Sequence, residues 1–483
     1  MIDTTSIRNK TLLFAMSGQL TEQMADDGTG EDLLKRLQAK KRSLEKSGGI
    51  KKERQMPVIP EEEKYLDIPS SWQWAYMGDI FQHNTGKALN ASDTEGELLE
   101  YITTSNLYWD RFELDELRQM HFKPDEIEKC TITKGDLLIC EGGDIGRSAI
   151  WNFDFDMRIQ NHIHKLRGFL PEETCAEYFY YMMWLYKQKG WINGRGIGLQ
   201  GFSSKRVHSL VIPLPPYQEQ FRVAERVREI FEILDVIDEL QAQYSSDIEV
   251  LKSKLIDIGI QGKLTEQLPE DGTGEELYQQ IITAKKELEK EGKAKKSKKL
   301  TDISSDELPF DIPHSWKWVR LGDICSKIVD GDHNPPKGIK QKTEYLMGSA
   351  ININHDRIEN LESVRYLSKD VFDEENKRTN LQVDDVLLTI VGTMGRSCVY
   401  EGGLNLCFQR SVSVITTLAN SKYIKRVLDT SYIQKFMQDN ATGAAQLGFY
   451  LNKVEKLIIP LPPIQEQKRI VDAIDSMLIQ MNG

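Results

Sequence analysis

Membrane-spanning runs and paired cysteines are both missing from this sequence of 483 residues. No apolar run approaches the ~20 residues that a helix needs to cross a bilayer. The N-terminal segment has neither a long apolar core nor a convincing cleavage site, so it does not resemble a signal peptide. The six cysteines form no CxxC pair, which predicts reduced thiols in a cytoplasmic protein and argues against a zinc site. They are Cys130, Cys140, Cys175, Cys325, Cys398 and Cys407.

Convincing catalytic and cofactor motifs are missing as well. Residues 196–201 fit GxGxxG, but they are not flanked by the strand and helix that dinucleotide binding requires. Residues 334–337 imitate the Asn-Pro-Pro-aromatic motif of amino-methyltransferases, yet Lys337 cannot supply the aromatic face that stacks on a flipped base. We therefore predict a chain without catalytic residues and without a bound cofactor.

Histidine is also rare, and the only close pair is His162 and His164. On a strand these two side chains would point to one face. Two ligands do not make a metal site, and no third ligand is spaced to complete one. The sequence therefore favours polar contacts from the protein surface, and DNA is the candidate ligand.

Excess positive charge is absent, because the formal net charge is −12. This argues against indiscriminate coating of nucleic acid, although it allows a local basic surface. Between Glu177 and Glu219 no acidic residue occurs, so the cations there predict phosphate contacts and the interleaved amides predict base contacts. A merely solvated basic face remains the alternative. The candidates in this stretch are Lys187, Lys189, Arg195, Gln200, Lys205 and Arg206, with Trp191 and Asn193 between them, and Arg147 is a further candidate before it.

What the sequence does contain is one unit written twice. Residues 18–80 match residues 262–324 without a gap, and the shared motifs include Leu-Thr-Glu-Gln, Asp-Gly-Thr-Gly and Ser-Trp-x-Trp. Each copy later has a Gly-x-x-Gly-Arg-Ser turn and closes with Ile-Pro-Leu-Pro-Pro followed by Gln-Glu-Gln. Two repeats of this size indicate two globular domains. The DNA-binding candidates of the second copy are His333, Lys337, Lys340, Lys342, Arg396, Arg410, Gln446 and Lys453.

The interiors of the two copies diverge. Residues 81–130 and 325–380 show no useful alignment. A common frame around dissimilar interiors suggests the same docking geometry directed at two different targets.

A long helix is predicted between the copies, from Gln220 to about Ile260, with no Pro or Gly before Gly259. At 1.5 Å per residue it would be about 60 Å long, which favours a spacer between two bodies. Apolar residues recur at steps of three and four and predict one seam for a partner helix. The seam residues are Val223, Val227, Ile230, Leu234, Ile237, Tyr244, Ile248, Leu251, Leu255 and Ile258, with Gln241 as the one polar member.

The chain ends repeat the two halves of this helix. Residues 7–23 match residues 251–267, and residues 465–483 match the segment that starts at Gln218. The terminal helices could therefore lie antiparallel on the central one and close the chain into a near-ring. Their predicted seam residues are Ile7, Phe14, Ile470, Ile474, Met477 and Met481.

These repeats predict a mixed α/β (α+β) fold in seven segments. The segments are an N-terminal helix at 1–23, a linker with a charged helix at 24–63, a first body at 64–216, a central helix at 217–267, a second linker with a charged helix at 268–307, a second body at 308–463 and a C-terminal helix at 464–483.

The paired motifs resemble the specificity (S) subunits of type I restriction–modification systems, the HsdS family. The resemblance implies two target-recognition domains, each reading one half of a bipartite double-stranded DNA site. It also implies a long antiparallel pair of coiled-coil helices with pseudo-two-fold symmetry and circular closure, which sets the spacing and docks two methyltransferase subunits. Residues equivalent to 237–247 have no counterpart between the two chain ends, so the second rod is nicked.

In such systems the S subunit is not catalytic. The resemblance implies that S-adenosylmethionine, ATP and Mg belong to the modification and restriction subunits of the complex. Two alternatives remain at this point. A single-chain restriction–methyltransferase would need catalytic motifs that we do not find, and a scaffold or degenerate specificity subunit of another DNA-defence complex would not bind DNA.

Overall fold

The computed structural model describes residues 1–52, 56–90, 92, 94–192, 201–294, 296, 300–443 and 446–482. The chain forms two compact units, Met1–Ala242 and Gln243–Gly483. We call them the first and the second unit.

The described part of the first unit combines short strands with helices. Its strands are β1 (Gln73–Tyr76), β2 (Phe81–Thr85), β3 (Glu97–Ile102), β4 (Leu107–Tyr108), β5 (Arg111–Phe112), β6 (Arg118–Phe122), β7 (Thr131–Ile132), β8 (Leu137–Cys140), β9 (Ser148–Ile150), β10 (Met157–Ile159), β11 (Ile163–Gly168) and β12 (Val211–Leu214). Its helices are α1 (Thr4–Met16), α2 (Gly30–Ser47), α3 (Met77–Ile80), α4 (Pro124–Cys130), α5 (Ala176–Gln188), α6 (Ser204–His208) and the start of α7 (Tyr217–Ile260).

The second unit contains the end of α7 and a similar order of elements. Its strands are β13 (Lys317–Arg320), β14 (Cys325–Asp330), β15 (Tyr345–Gly348), β16 (Ile353–Asn354), β17 (Arg357–Ile358), β18 (Arg365–Tyr366), β19 (Val386–Thr389), β20 (Ser397–Val399), β21 (Asn405–Phe408), β22 (Val412–Thr417) and β23 (Ile458–Leu461). Its helices are α8 (Gly274–Lys290), α9 (Lys369–Thr379), α10 (Ser421–Leu428), α11 (Ser431–Asp439), α12 (Leu451–Val454) and α13 (Ile464–Asn482).

Sheet order repeats between the units. The first unit has sheets ordered β2-β11-β8-β9 and β6-β3-β10-β7, and the second has β14-β22-β19-β20 and β18-β15-β21. In each unit one parallel pair, β3 with β10 and β15 with β21, sits among antiparallel neighbours. The prediction of a mixed α/β fold is confirmed.

One part of the two interiors matches in structure, although residues 81–130 and 325–380 show no useful alignment in sequence. Hairpin β4–β5 corresponds to hairpin β16–β17. The Asn106 side chain accepts from the Thr103 amide, and the Asn352 side chain accepts from the Ser349 amide, each at 2.9 Å. The turn of each hairpin contains an aspartate with positive φ, Asp110 at 58° and Asp356 at 72°. Sequence comparison missed the match because hydrogen-bonding polar residues and turn positions, rather than long identical runs, define this hairpin.

The repeated motifs of the sequence meet in a buried hydrogen-bonded cluster. The Trp72 indole N–H donates to the Glu219 carboxylate at 2.8 Å, and the Gln23 amide donates to the same carboxylate at 2.9 Å. In the second unit, Trp316 and Gln267 each donate to Glu466 at 2.9 Å. Burial raises the pKa of Glu219, because its charged form is removed from water. In each unit the repeated motifs therefore pack around one buried carboxylate.

The glycine of each Asp-Gly-Thr-Gly motif allows close backbone approach. A Cβ added at Gly30 would lie 2.1 Å from the Leu214 carbonyl oxygen, and one at Gly274 would lie 2.1 Å from the Leu461 carbonyl oxygen. Thr29 and Thr273 cap the helices that start there, α2 and α8. The two charged helices predicted from the sequence are thus confirmed.

In the first unit α1 runs antiparallel to the first half of α7. Thr4 donates to Asp238 at 2.6 Å, and Arg8 lies 2.8 Å from Asp235. The expected seam residues Ile7 and Phe14 are exposed, so that part of the seam is wrong. The residues of α1 that are buried instead are Thr4, Thr11, Leu12, Ala15 and Met16, because α1 also packs against α5.

In the second unit α13 packs against the end of α7. Ile470 and Ile474 are fully buried as predicted, whereas Met477 is exposed. A Cβ added at Gly259 would lie 2.7 Å from the Ile474 side chain. On α7 the seam is confirmed at Val223, Val227, Leu234 and Leu255, but Tyr244, Leu251 and Ile258 are exposed while Ile256 and Ile260 are buried.

All six cysteines are buried free thiols. Burial raises the pKa of Cys175 to about 11 and the pKa of Cys325 to about 12, so both stay protonated at neutral pH. In the part of the chain that the structure describes, no helix is both long and apolar enough to span a membrane.

Candidate nucleic-acid interface

The turn that joins β8 to β9, residues 141–147, organises the first unit's candidate surface. Strand β8 is fully buried, so the chain emerges at Glu141 and returns at Ser148. The Glu141 amide donates to the His162 carbonyl at 2.9 Å, and the Phe202 amide donates to the Glu141 carbonyl at 2.7 Å. The turn is therefore held against two segments that are distant in sequence, one at His162 and one at Phe202.

Lys187 reaches this turn from the end of α5. Its ammonium lies 2.7 Å from the Asp144 carboxylate and donates to the Ile145 carbonyl at 2.6 Å. The stretch from Glu177 to Glu219 is free of acids in sequence, but in space Asp144 already neutralises Lys187. Sequence reasoning missed Asp144 because it lies in another part of the chain.

Arg147 closes the same turn. Its guanidinium lies 5.0 Å from the centre of the Tyr108 ring and donates to the Thr104 carbonyl. Its Nε is buried and has no hydrogen-bond partner among the described residues. Tyr108 and Thr104 were not identified from the sequence, since they belong to the segment for which no alignment was found.

The remaining cations of the first unit differ in exposure. Lys189, just beyond α5, and Lys205, on α6, are exposed. Arg206 stands 5.9 Å from the centre of the Phe202 ring and donates to the Ile192 carbonyl at 3.4 Å. The predicted Arg195 and Gln200, with Asn193, lie outside the described residues.

The two histidines do not share a face. His162 lies in the turn before β11 with its side chain 56% exposed, and it is 3.6 Å from Glu141. His164 lies inside β11 and is fully buried, so the prediction that it contacts DNA is wrong. Its Nε2 donates to the Phe202 carbonyl at 2.5 Å, and its Nδ1 is 2.9 Å from His83 Nε2. Burial lowers the pKa of His164 by disfavouring the imidazolium.

The corresponding turn of the second unit, residues 390–396, joins β19 to β20. The Phe449 amide donates to the Ile390 carbonyl at 2.7 Å, as Phe202 does to Glu141 in the first unit. The same segment carries Gln446, which is exposed, and the turn carries Arg396, which is half-buried. Arg396 and Gln446 therefore belong to one loop cluster, formed by the turn 390–396 and the segment before Phe449.

Lys453 joins this cluster indirectly. Its ammonium donates to the Asn440 carbonyl at 2.7 Å and to the Thr442 hydroxyl at 3.2 Å. Thr442 pairs in turn with Gly448, next to the Gln446 segment.

The other predicted residues of the second unit lie along a separate segment. His333 Nε2 is 2.8 Å from the Asp330 carboxylate. The exposed Arg410 donates its backbone amide to the Asp332 carbonyl at 2.8 Å. Lys337, Lys340 and Lys342 are exposed in the loop that follows His333.

The arrangement offers exposed cations and amides on loops that are held by buried strands. Such a surface can place ammonium and guanidinium groups on phosphates and amide groups on base edges.

Comparison with known proteins adds a family match. A family model described as the type I restriction modification DNA specificity domain matches residues 69–249 and again residues 313–481. One match falls on the body of each repeat.

Curated relatives match almost the whole chain. The EcoAI specificity subunit of a type I restriction enzyme from Escherichia coli is 24% identical, over 99% of this chain and 89% of that protein. The EcoEI specificity subunit, also from Escherichia coli, is 23% identical over 97% of this chain and 88% of that protein. A solved chain from a study of complex assembly in the type I R-M system aligns with a TM-score of 0.57 at 16% identity, covering 86% of this chain and 92% of that chain.

Proposed function

The chain belongs to the type I restriction modification DNA specificity family, and from this membership we propose that it is the DNA-specificity subunit of a type I restriction–modification complex. The resemblance drawn from the paired motifs is thereby confirmed. Each unit carries one family match. We propose that each reads one half of a bipartite site in double-stranded DNA.

One observation supports this proposal above the others. The two units repeat the same sheet order and the same buried carboxylate cluster, while their loop clusters carry different side chains. Arg147 and Arg396 correspond and are identical, but His162 of the first unit is replaced by Ser411 in the second. A common frame with different contact residues is suited to reading two different base sequences in one geometry.

We further propose that the helices set the distance between the two half-sites. The terminal helices α1 and α13 each run along one half of α7, and within each unit these contacts agree with an antiparallel helix pair. The proposal includes a coiled-coil pair, pseudo-two-fold symmetry and circular closure, with recognition domains at 64–216 and 308–463.

The proposed complex supplies the chemistry from other chains. Two modification (methyltransferase) subunits and the restriction subunits would be the protein partners of this chain. S-adenosylmethionine, ATP and Mg would bind to those subunits. We expect no adenine methylation or DNA cleavage by the purified chain with S-adenosylmethionine, ATP and Mg. Methylation by the chain alone would contradict the proposal.

Sequencing of methylated adenines tests the reading of two half-sites. A host that carries the complete system should show one bipartite methylated sequence, which disappears when this chain is deleted. Exchanging residues 64–216 for those of another family member should change one half of that sequence and leave the other. A change in both halves, or in neither, would contradict the assignment of one half-site to each unit.

The scaffold alternative makes a different prediction. A scaffold or degenerate subunit would assemble with its partners without adding salt-dependent DNA binding. A gel-shift titration of the assembled complex at several salt concentrations separates the two. Sequence-specific binding that weakens as salt rises supports the specificity subunit.

A further inference from the structure

The two units place different side chains at one equivalent site. The Tyr178 hydroxyl donates to the Pro213 carbonyl and the Tyr423 hydroxyl to the Pro460 carbonyl, both at 3.0 Å, which fixes the correspondence of α5 with α10. Tyr180 of the first unit therefore corresponds to Lys425 of the second. The next position pairs Tyr181 with Arg426, and the matching hairpins pair Asp110 with Asp356.

In the second unit the carboxylates of this site are paired with the unit's own cations. Lys425, which is buried, forms ion pairs with Asp356 and Asp429, the latter at 2.6 Å. Arg426 lies 2.9 Å from Asp356 and 2.6 Å from Asp475. The carboxylate on the hairpin is thus neutralised within the chain by an ammonium and a guanidinium.

Both sites are cavities, of about 990 Å³ in the first unit and about 590 Å³ in the second. Tyrosines stand where the second unit has its lysine and arginine, so no cation of the described residues lies within 4 Å of the Asp110 carboxylate. Glu232 on α7 likewise has no ion-pair partner among the described residues. The other carboxylates of the cavity are already engaged, Glu177 with Arg228 at 3.4 Å and Asp235 with Arg8 at 2.8 Å.

The walls of the cavity are aromatic. Trp184 and Phe231 line it, with ring centres 5.4 Å apart, and Trp109 stacks on Trp184 at 5.6 Å. Tyr180 also lines the cavity and is 2% exposed. Its hydroxyl is buried and has no hydrogen-bond partner among the described residues. A buried hydroxyl without a partner is rare, and a donor that enters the cavity could satisfy it.

We propose that this cavity receives an arginine side chain from a partner protein. A planar guanidinium can stack on an aromatic ring and bind a carboxylate through two N–H groups, so it matches Trp184, Asp110 and the Tyr180 hydroxyl together. Arg8 of this chain already faces the Phe231 ring, 5.2 Å from its centre, and shows that the cavity accommodates a guanidinium. The unpaired carboxylates disfavour phosphates of DNA as occupants, since the cations that line the cavity, such as Arg8 and Arg228, are already paired with other carboxylates.

The second unit indicates why the occupant is a side chain. There the cations that meet Asp356 are delivered by residues of the same fold, one of them an arginine. The choice of a subunit as donor rests on the proposed function, under which this chain assembles with modification subunits. It follows that the two units present non-equivalent cavities: the hairpin carboxylate is neutralised within the chain in the second unit and on assembly in the first.

A binding experiment on the full-length chain tests the ligand chemistry independently of the proposed function. The probe is N-acetyl-arginine amide, followed by tryptophan fluorescence because Trp184 lines the cavity. We expect saturable binding that weakens at least 10-fold in Asp110→Asn and is lost in Tyr180→Lys, which supplies the cation within the chain. Asp115→Asn, the same change at an exposed residue of the next loop, should bind as the parent does.

The competing ligands define the outcomes. N-acetyl-glutamine amide has the amide groups without the charge and should not bind. Spermidine that binds more tightly than the arginine amide would overturn the arginine assignment in favour of a small cation. Absence of arginine amide binding, or equal binding by Asp110→Asn and Asp115→Asn, would overturn the proposal.

Assembly with the modification subunit tests the partner. By sedimentation of purified subunits, Asp110→Asn and Tyr180→Lys should each weaken assembly at least 10-fold, whereas Asp115→Asn should not. Both variants should first show the urea midpoint of the parent or a higher one. Normal assembly of both variants would overturn the assignment to this partner, while the methylated-site sequence of the parent separately tests the proposed function.

Discussion

Individual cations of the first unit differ in how far the protein itself already neutralises them. Lys187 is paired with Asp144, whereas Lys189 and Lys205 are exposed. A cation that must leave a carboxylate to contact a phosphate gains less binding free energy than a cation that was solvated beforehand. The exposed lysines are therefore the stronger candidates for phosphate contacts.

Replacing Lys205 by Ala should flatten the salt dependence of DNA binding by the assembled complex. Each neutralised phosphate contributes about 0.9 to the logarithmic slope, so the loss of one contact should change the slope by about that amount. Lys187→Ala should change it less, because Asp144 competes for the ammonium. Lys40→Ala, at an exposed position on α2, is the control. An unchanged slope for Lys205→Ala would remove this residue from the interface.

The paired hairpin carboxylates should respond oppositely to neutralisation. Partial burial opposes ionisation of Asp356, but Lys425 and Arg426 outweigh it and hold its pKa below the ordinary range. Burial, with Asp235 nearby, raises the pKa of Asp110. At pH 7, Asp356→Asn should lower the free energy of unfolding by about 1–2 kcal/mol, a value reduced by solvent screening of its half-exposed side chain. Asp110→Asn should not lower it.

The pH dependence follows from the signs of these shifts. The stability that Asp356 contributes is present above its unfolded pKa of about 3.9 and is lost as the pH falls through its lower folded value. The ionisation of Asp110 costs stability as the pH rises above about 3.9 and through its raised folded pKa. Urea unfolding at pH 7 and at pH 3 measures both. A loss of stability for Asp110→Asn at pH 7 would contradict the assignment.

Among the elements, the Pro-Pro strand and the helix that follows it carry the frame of each unit. Strands β12 and β23 pair antiparallel with β1 and β13, with Pro213 opposite Trp74 and Pro460 opposite Trp318. Helix α7 then presents Glu219 to the indole and amide donors of the repeated motifs. The position of the helix relative to the sheet depends on this cluster.

Trp72→Phe should destabilise the first unit. It removes an N–H donor from a buried carboxylate, which costs about 2 kcal/mol when the acceptor is charged. Glu219→Gln should also destabilise the unit, because its single oxygen can accept from the indole but its new amide N–H groups then face the Gln23 donor. Trp74→Phe is the matched control, since the structure gives its indole no partner among the described residues. Equal urea midpoints for Trp72→Phe and Trp74→Phe would rule out the hydrogen bond as a source of stability.

Across the whole molecule, α7 is the element that the two units share. It begins in the first unit and ends in the second, and the boundary between them falls between Ala242 and Gln243. Around this boundary Leu240 and Tyr244 are exposed.

A seven-residue insertion between Gln241 and Tyr244 should lengthen the gap between the half-sites. Seven residues keep the phase of the seam and add about 10 Å of helix. This corresponds to about three base pairs, while the bases of each half-site should stay the same. Sequencing of methylated adenines measures the gap. A four-residue insertion, which breaks the phase, should reduce methylation instead; an unchanged gap after the seven-residue insertion would show that α7 does not set the spacing.

The sequence by itself determined the two copies, the mixed α/β class, the long helix and the family. These features are encoded locally, in helix periodicity, in turn glycines and in motifs that recur at constant distance. Even the buried Trp72–Glu219 cluster left a signal, because its members belong to motifs repeated in both copies.

Only the tertiary structure decided which predicted residues are available for binding. Asp144 neutralises Lys187 from 43 residues away in the chain. His164 is buried although the exposed His162 lies only two residues before it. Tyr180 and Tyr181 stand where the second unit has Lys425 and Arg426, and only the fold shows that this difference leaves Asp110 without the cations that Asp356 has. Burial and ion pairing depend on which distant segments the fold brings together, and no local pattern in the sequence records that.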